Sequence, residues 1–299
     1  MKPRNLEHWN TAQAQTKRFG VTMITTTVIV LLVMTAYPLI FTFYYSLTDY
    51  NLLKVLKNPA NFIALKNYTK LLGNEYFRKA IWNTVRFTVL AVVFEMFFGF
   101  LMALLVHSLQ RGQRLLRTLL LLPYLLPTVT VALSWRMMLS PNYGIVNQFL
   151  QSLHLPVFNW FSDIRTAFWM LLLIDVWQSA PFVFLLLYAA LQAVPQSQYE
   201  AARLDGAGSM ACLFYITIPN IKNSLALCAL LRTIDSFRLF DKVNLLTGGG
   251  PANSTATITQ YLYNNGIKVF DFGYGSAGAI VMTLLVLVLA SFYIRRAMG

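Results

Sequence analysis

The sequence has little charge, and it lacks the residue patterns of a catalytic or metal centre. Only 12% of its 299 residues are Asp, Glu, Lys or Arg, whereas a soluble domain carries about 25%. The three histidines, His8, His107 and His154, are scattered and show no metal-ligand spacing. No glycine-rich loop leads into the lysine that binds nucleotide phosphates, because the run 248–250 is followed by proline. We therefore expect no catalytic residue, no metal site and no bound cofactor in this chain.

Cysteine is almost absent, and acidic residues are outnumbered. Cys212 and Cys228 form no pairing or ligand pattern, so we interpret both as small apolar residues of helices. The chain carries 24 Lys and Arg against 11 Asp and Glu, a formal net charge of +13. These basic residues lie between long apolar runs rather than on one soluble face, which argues against nucleic-acid binding. They indicate membrane topology and contact with anionic lipid headgroups.

Long apolar runs dominate the rest of the chain. Hydrophobic residues make up 57% of the sequence and aromatic residues 14%, a composition that suits a lipid bilayer. A helix needs roughly 20 apolar residues to cross the hydrocarbon core. The predicted spans are 21–46, 81–107, 118–139, 167–191, 225–246 and 274–294. We therefore expect an all-α membrane protein, a six-span polytopic helical bundle, with its third span interrupted by Pro123 and Pro127.

Basic residues in the short flanking segments predict the orientation of these spans. Arginines and lysines cluster near both termini and in the loop 192–222, so we place all three in the cytoplasm. We expect a cytoplasmic N-terminal segment, 1–20, followed by a transmembrane domain over 21–299. The external loop 47–80 is also basic, but long loops obey the charge rule less strictly. We expect one or two short helices in that loop.

The loop 192–222 has the most distinctive pattern in the chain. Residues 196–204 predict a short helix, and the chain then breaks at an Asp-Gly pair. Asp205 is a natural N-cap for a second short helix, predicted over 209–218 and ended near Pro219. Together these features predict a helix–turn–helix elbow outside the membrane, shaped to fit a cleft in a partner protein.

The elbow resembles the EAA loop of bacterial ABC importer permeases. Glu200-Ala201-Ala202 is followed after three residues by Gly206, and later by Ile218-Pro219. The family usually has Leu where this chain has Ile218. In the family this loop is the coupling helix that docks on the ATP-binding subunit. The resemblance implies a coupling role for Glu200, Ala201, Ala202, Asp205, Gly206, Ala207 and Gly208.

Further segments narrow the resemblance to permeases of the carbohydrate-uptake type. The segment 61–68 resembles those permeases, and the run 246–255 resembles their maltose F-type and glycerol-phosphate A-type subunits rather than the G-type partner. The resemblance implies a type I ABC importer permease of the bacterial inner membrane, with both termini cytoplasmic. It implies as partners a second, G-type permease, two copies of an ATPase subunit that bind ATP and Mg, and an extracytoplasmic solute-binding protein. The implied substrate is a mono-, di- or oligosaccharide, a polyol or glycerol phosphate.

Polar residues inside the predicted spans are candidates for the sugar path, because ionisable groups at bilayer depth usually face the bundle interior. The three charges at 232, 235 and 238 share a helix face, and they form either an internal ion-pair network or a hydrophilic lining. An acidic group beside an indole, as at 175–177, suits sugar hydroxyls and a sugar C–H face, although Trp is also common at membrane interfaces. The candidate path residues are Asp175, Trp177, Arg232, Asp235, Arg238 and Tyr261.

Two external segments are candidates for contact with the solute-binding protein. One lies in the loop after the first span, and the other is a sharp turn at 247–251, where three glycines and a proline cannot hold a helix. The candidate contacts are Asn67, Tyr68, Gly249, Gly250 and Pro251.

Two other functions compete with the sugar importer. A permease for amino acids, metals or phosphate also carries an EAA-like elbow, and the carbohydrate-type loops argue against it. A secondary transporter or channel driven by an ion gradient would need no docking elbow in the cytoplasm. The elbow therefore favours an importer that depends on a separate ATPase.

Overall fold

The fold was analysed in a computed structural model, which describes residues 5–55, 59–109 and 111–298. Within those ranges the structure contains helices and loops but no β-strand, and Thr48 and Phe62 form an isolated bridge. The α-helices, in chain order, are α1 (Asn5–Ser46), α2 (Leu52–Val55), α3 (Lys66–Gly73), α4 (Glu75–Ser108), α5 (Gln113–Leu125), α6 (Thr128–Met138), α7 (Ile145–Ser152), α8 (Ile164–Gln192), α9 (Gln196–Leu204), α10 (Ser209–Cys212), α11 (Ile218–Phe237), α12 (Asp241–Leu246), α13 (Ile258–Leu262) and α14 (Phe272–Met298). Two π-helical turns, Leu213–Thr217 and Tyr263–Ile267, lie just before α11 and just after α13.

The described helices confirm a multi-span membrane protein. Five of them are long and apolar enough to cross a bilayer, and the bent pair α5 and α6 makes a sixth if it counts as one span. Residues 5–20 of the predicted N-terminal segment and the first span form a single helix, α1. Two short helices, α2 and α3, lie in the predicted external loop, as expected.

The third span is interrupted at its two prolines, as predicted, and consists of two helices bent by 88°. Pro123 lies near the end of α5, and Pro127 caps the start of α6. Because a proline disfavours helical geometry in the residue before it, Leu126 adopts an extended conformation between the two helices. Its carbonyl accepts a hydrogen bond from Gln178 Nε2 of α8 at 3.0 Å. The break is therefore tied to the fourth span.

The predicted bounds of the fifth span, 225–246, were wrong. The helical span covers Ser209–Phe237, because α10 continues through a π turn into α11. Pro219 was predicted to end a helix, and this prediction was wrong, because Pro219 lies in the first turn of α11, directly after the π turn. The chain then bends after Phe237, and residues 241–246 form the separate helix α12. The error lies in the two ends of the span, because hydropathy identifies the apolar stretch of a helix and not the residues at which the helix begins and ends.

The helices α4 and α8 form the centre of the bundle, and a glycine lets them approach closely. A Cβ atom added at Gly99 of α4 would lie 2.5 Å from Val183 Cβ and 2.9 Å from the Ala180 carbonyl oxygen, both on α8. These obstacles are attached directly to a helix backbone, so they cannot rotate away. Buried residues of both helices, such as Phe87 and Leu171, continue the packing toward the end of the bundle that lies away from the elbow.

We expect Gly99→Ala to lower the thermal stability of the purified protein, by about 1–3 kcal/mol of overpacking. Gly278→Ala is the matched control, because its new methyl group would meet the far end of the flexible Leu262 side chain. Thermal unfolding of both variants in the same detergent checks the comparison. Equal losses at the two glycines would contradict the close approach of α4 and α8.

Candidate functional site: the elbow and the buried charge cluster

The first arm of the elbow is the helix α9, and its end explains why a glycine follows. Helix α9 covers Gln196–Leu204, as predicted. Gly206 has a φ of +79° and donates to the Arg203 carbonyl at 3.1 Å, while Ala207 N donates to the Ala202 carbonyl at 2.8 Å. This pair of bonds is the Schellman closure of a helix, which requires a left-handed residue that glycine adopts most easily.

Asp205 was expected to begin the second helix, and this expectation was wrong. It is the C-cap of α9, and its N–H donates to the Ala201 carbonyl at 3.1 Å. The N-cap of α10 is Gly208, with no side-chain hydrogen bond. The Asp-Gly pair therefore closes the first arm of the elbow rather than opening the second.

Two side-chain hydrogen bonds attach the elbow to the start of the fifth span. Tyr199 Oη and Thr217 Oγ1 are 3.0 Å apart, and Asn220 Nδ2 donates to Gln198 Oε1 at 2.8 Å. Thr217 belongs to the π turn and Asn220 to the first turn of α11. The helix α9 is therefore joined to the span through two points on one side.

The elbow exposes apolar side chains at its tip. Leu204 is 90% exposed, Tyr215 83% and Met210 71%. Of the predicted coupling residues, the exposed ones are Glu200, Ala201, Asp205, Gly206 and Gly208, and the half-buried ones are Ala202 and Ala207. Sequence reasoning missed Leu204, whose position two residues before the helix-ending glycine was the available signal. Exposed apolar residues grouped at one end of a bundle mark an interaction surface.

An arginine of the fifth span forms a buried ion pair with the second span. Arg232 donates from Nε to Glu95 Oε2 at 2.7 Å and from Nη2 to Glu95 Oε1 at 2.9 Å. The side chains are 7% and 0% exposed. Arg232 Nη1 also lies 3.4 Å from Asp235, which is in turn 3.6 Å from Arg238. The spacing of three therefore does produce ion pairs on one face of α11, and the buried partner comes from α4.

A second buried ion pair joins α8 to α12. Lys242 Nζ donates to Asp175 Oδ1, and both side chains are 3% exposed. Lys242 had no predicted role, because the sequence placed it at the end of a continuous fifth span. The buried charge cluster, defined as Glu95, Asp175, Arg232, Asp235, Arg238 and Lys242, contains three acids and three bases. Its net charge is therefore zero when every group is ionised. Asp235 and Arg238 form its exposed edge, with side chains 50% and 62% exposed.

Several polar atoms beside this cluster have unused hydrogen-bonding capacity. Asp175 Oδ2, Gln178 Oε1 and Ser236 Oγ are buried and have no hydrogen-bond partner among the described residues. Gln178 lies one turn beyond Asp175 on α8, and Ser236 lies one turn beyond Arg232 on α11. Helical spacing from the charged residues could have found both. Such buried acceptors and donors are where a hydroxylated ligand or water can bind.

Two of the predicted path residues lie away from the cluster. Trp177 is 41% exposed and packs edge-to-face on Trp135, with ring centroids 5.5 Å apart. It is two positions from Asp175, so the two side chains point to different faces of α8. Tyr261 is buried in another part of the core, where its hydroxyl lies 2.8 Å from that of Tyr274. The structure therefore groups Asp175, Arg232, Asp235 and Arg238 but not the two aromatic residues.

The loop after α1 is held by the two residues predicted to contact a binding protein. Asn67 is buried, and its Nδ2 donates to the carbonyls of Ser46 at 3.0 Å and Thr48 at 2.8 Å. The Tyr68 hydroxyl lies 2.7 Å from Ser46 Oγ. Both side chains therefore fix this loop to the end of α1. Among the described residues of this loop, Phe62 has the most exposed large apolar side chain, at 68%.

The glycine turn forms as predicted, but its tip lies two residues later. Gly249 is buried, whereas Gly250 and Pro251 are half-buried. The exposed tip consists of Ala252 and Asn253. Their carbonyls accept hydrogen bonds from α4, from Lys79 Nζ at 2.9 Å and from Asn83 Nδ2 at 2.9 Å.

A multi-span helical bundle with an exposed elbow at one end and a buried polar cluster between its spans is the architecture of a membrane permease. Residues 95–295 match the family described as binding-protein-dependent transport system inner membrane component. The chain belongs to this family. It is a multi-pass inner-membrane protein and the permease subunit of a binding-protein-dependent transporter.

Relatives with named functions cover most of the chain. It is 35% identical over 278 residues to the trehalose/maltose transport system permease protein MalF of Thermococcus litoralis, covering 93% of each chain. It is 37% identical to the sulfoquinovosyl glycerol transport system permease protein SmoG of Agrobacterium fabrum, covering 79% of this chain and 77% of that one. Among solved structures, a chain of a bacterial alginate ABC transporter, in complex with a pentasaccharide-bound periplasmic protein, matches with a TM-score of 0.81 at 22% identity, covering 94% of each chain. This last likeness concerns the fold.

Proposed function

We propose that this chain is one of two permeases in an ATP-driven importer for a sugar. The elbow is the observation that carries the proposal, because a self-sufficient transporter has no use for an exposed apolar docking surface at that end. The names of the similar permeases from Thermococcus and Agrobacterium support a carbohydrate substrate. In this proposal the chain itself is not catalytic, and its two termini lie in the cytoplasm with the elbow.

The proposed partners supply the tasks that this chain does not perform. An ATPase subunit, present in two copies and binding ATP and Mg, receives the elbow tip around Leu204. A second permease of the G type forms the other half of the path. A solute-binding protein delivers the sugar at the opposite face, where Phe62 and the tip at 252–253 are exposed.

The proposed coupling route uses contacts within this chain. Closure of the ATPase pair moves α9, and the bonds Tyr199–Thr217 and Gln198–Asn220 carry that movement into α11. The ion pair between Arg232 and Glu95 then joins α11 to α4. The elbow and the spans therefore move as connected bodies rather than separately.

The buried charge cluster, together with the unpaired polar atoms beside it, is the proposed site of sugar passage. A sugar hydroxyl can donate to Asp175 Oδ2 or Gln178 Oε1 and can bond to Ser236 Oγ, the atoms that lack partners among the residues described. Because the charges of the cluster balance, it offers no excess cation for a phosphorylated ligand. An uncharged saccharide or polyol is therefore the proposed substrate, in preference to glycerol phosphate.

Co-purification tests the dependence on an ATPase. The tagged chain, expressed with its native partners and purified in mild detergent, should retain a second permease and an ATPase. Leu204→Asp should lose the ATPase selectively, because a charge is placed in an apolar contact. Leu153→Asp is the control, since Leu153 is 53% exposed in the loop before α8, at the other end of the bundle. Recovery of the wild-type chain alone, stable in several detergents, would favour the ion-gradient transporter.

A further inference from the structure

Arg86 of α4 is an exposed cation whose charge nothing in the described chain balances. Its guanidinium carbon lies 4.1 Å from the ring centroid of Phe168 and 5.9 Å from that of Trp169. Its side chain makes no ion pair or hydrogen bond with any described residue. Stacking on aromatic faces orients a guanidinium while leaving its N–H donors free. The guanidinium of Arg86 is therefore oriented by the two rings, and its N–H donors are free to bind an anion.

Arg86 lies at the level of a membrane interface. Ser108, at the other end of α4, lines a separate cavity beside the elbow. Arg86 lies 22 residues before Ser108 on α4, which corresponds to a rise of about 33 Å along the helix. That rise is close to the thickness of the hydrocarbon core, about 30 Å. Trp82, one turn before Arg86, is 64% exposed, and Trp169 is 48% exposed. Amphipathic rings at both sites fit the headgroup level.

An apolar groove runs from this level into the bilayer. It has a volume of about 760 Å³ between α4, α5 and α8, and it begins beside Trp169, which Arg86 covers. Its lining includes Phe98, Pro123, Leu173 and Trp177. Phe98 follows Arg86 by 12 residues on α4, about 18 Å of rise, which is near the depth of one leaflet. The groove therefore matches the length and chemistry of an acyl chain.

We propose that this groove, called here the α4–α5–α8 groove, binds an anionic phospholipid, with the phosphate on Arg86 and one acyl chain beside Trp177. A second cation supports the anionic headgroup. Arg165 lies one turn before Trp169 on α8 and has no ion pair within the described ranges. Guanidinium groups bind phosphate oxygens in a bidentate manner. The proposal does not depend on which substrate is transported or on which protein binds the elbow.

Fluorescence quenching by brominated lipids tests the site. The chain, with the subunits that co-purify, is reconstituted in vesicles that contain a minor fraction of phosphatidylglycerol or phosphatidylcholine brominated in the middle of the acyl chains. The quenching of Trp177 is the difference between the wild type and Trp177→Phe. We expect phosphatidylglycerol to occupy the groove about tenfold more strongly than phosphatidylcholine. Both lipids carry the phosphate, but the choline cation of phosphatidylcholine offsets its charge and is repelled by the two arginines.

Variants of the headgroup site locate the preference. Arg86→Gln should abolish it, and Arg86→Lys, which keeps the charge, should retain part of it. Arg114→Gln, at the other end of the bundle, is the charge-matched control and should retain it in full. Equal quenching by both lipids in the wild type would overturn the headgroup site. Absence of any quenching that depends on Trp177 would also overturn the proposal and would assign the groove to a protein partner.

Discussion

Arg232→Ala is expected to cost about 3–5 kcal/mol of stability, because it leaves the carboxylate of Glu95 buried and unpaired. Glu95 is 0% exposed and accepts two hydrogen bonds from Arg232. Such a loss is a large part of the total stability of most domains. We therefore expect little monodisperse protein after purification in detergent, measured by size-exclusion chromatography and thermal unfolding.

Two further variants test whether the loss of stability comes from breaking the buried ion pair or from removing any charge. The double variant Glu95→Leu with Arg232→Met should recover most of the stability, because packed apolar residues often replace a buried ion pair without loss. Arg238→Ala should cost about 0–1 kcal/mol, since the Arg238 side chain is 62% exposed. A double variant as unstable as the single one would contradict the argument.

The same double variant decides between the two functions considered for the cluster. If it assembles and transports normally, the pair is a structural link between α4 and α11. If it assembles normally but loses transport, the pair belongs to the lining of the path. The measurement is uptake of labelled sugar in vesicles, normalised to the amount of assembled complex.

Gly206→Val is expected to reduce transport about tenfold while leaving the bundle stable. Gly206 has a φ of +79°, and a Cβ added there would meet nothing within 4 Å. The cost is therefore one of backbone conformation, roughly 1–2 kcal/mol in the left-handed region and highest for a β-branched residue. Because the elbow is exposed, the strain should distort its closing turn rather than the spans. Uptake and thermal unfolding, measured on the same preparations, check both parts.

Matched substitutions show whether the backbone conformation is responsible. Gly206→Asn should retain most of the transport, because asparagine tolerates the left-handed region. Gly112→Val carries the same kind of strain, with φ at +81° and open space around the site, but lies before α5 and outside the elbow. It should leave transport intact. Equal losses for Asn and Val at position 206 would contradict the conformational explanation.

Local features of the elbow were predictable, and its connections were not. The helix over 196–204 and the break after it follow from short-range preferences for helix and turn. The capping position of Asp205 was predicted wrongly, because an Asp before a Gly can end one helix or begin the next. Only the bonds from Gly206 and Ala207 back to α9 decide between the two. The attachment through Tyr199 and Thr217 needed the helices in place.

The sequence by itself determined the helical class, the approximate positions of the spans and the first arm of the elbow, because apolar length and turn residues act locally. It also indicated that the charges at 232, 235 and 238 can pair, since they share a helix face. Tertiary structure decided the buried partners. Glu95 meets Arg232 across 137 positions, and Asp175 meets Lys242 across 67. A charge in a bilayer needs a partner wherever it lies, but only the packing of the spans determines which residue that partner is.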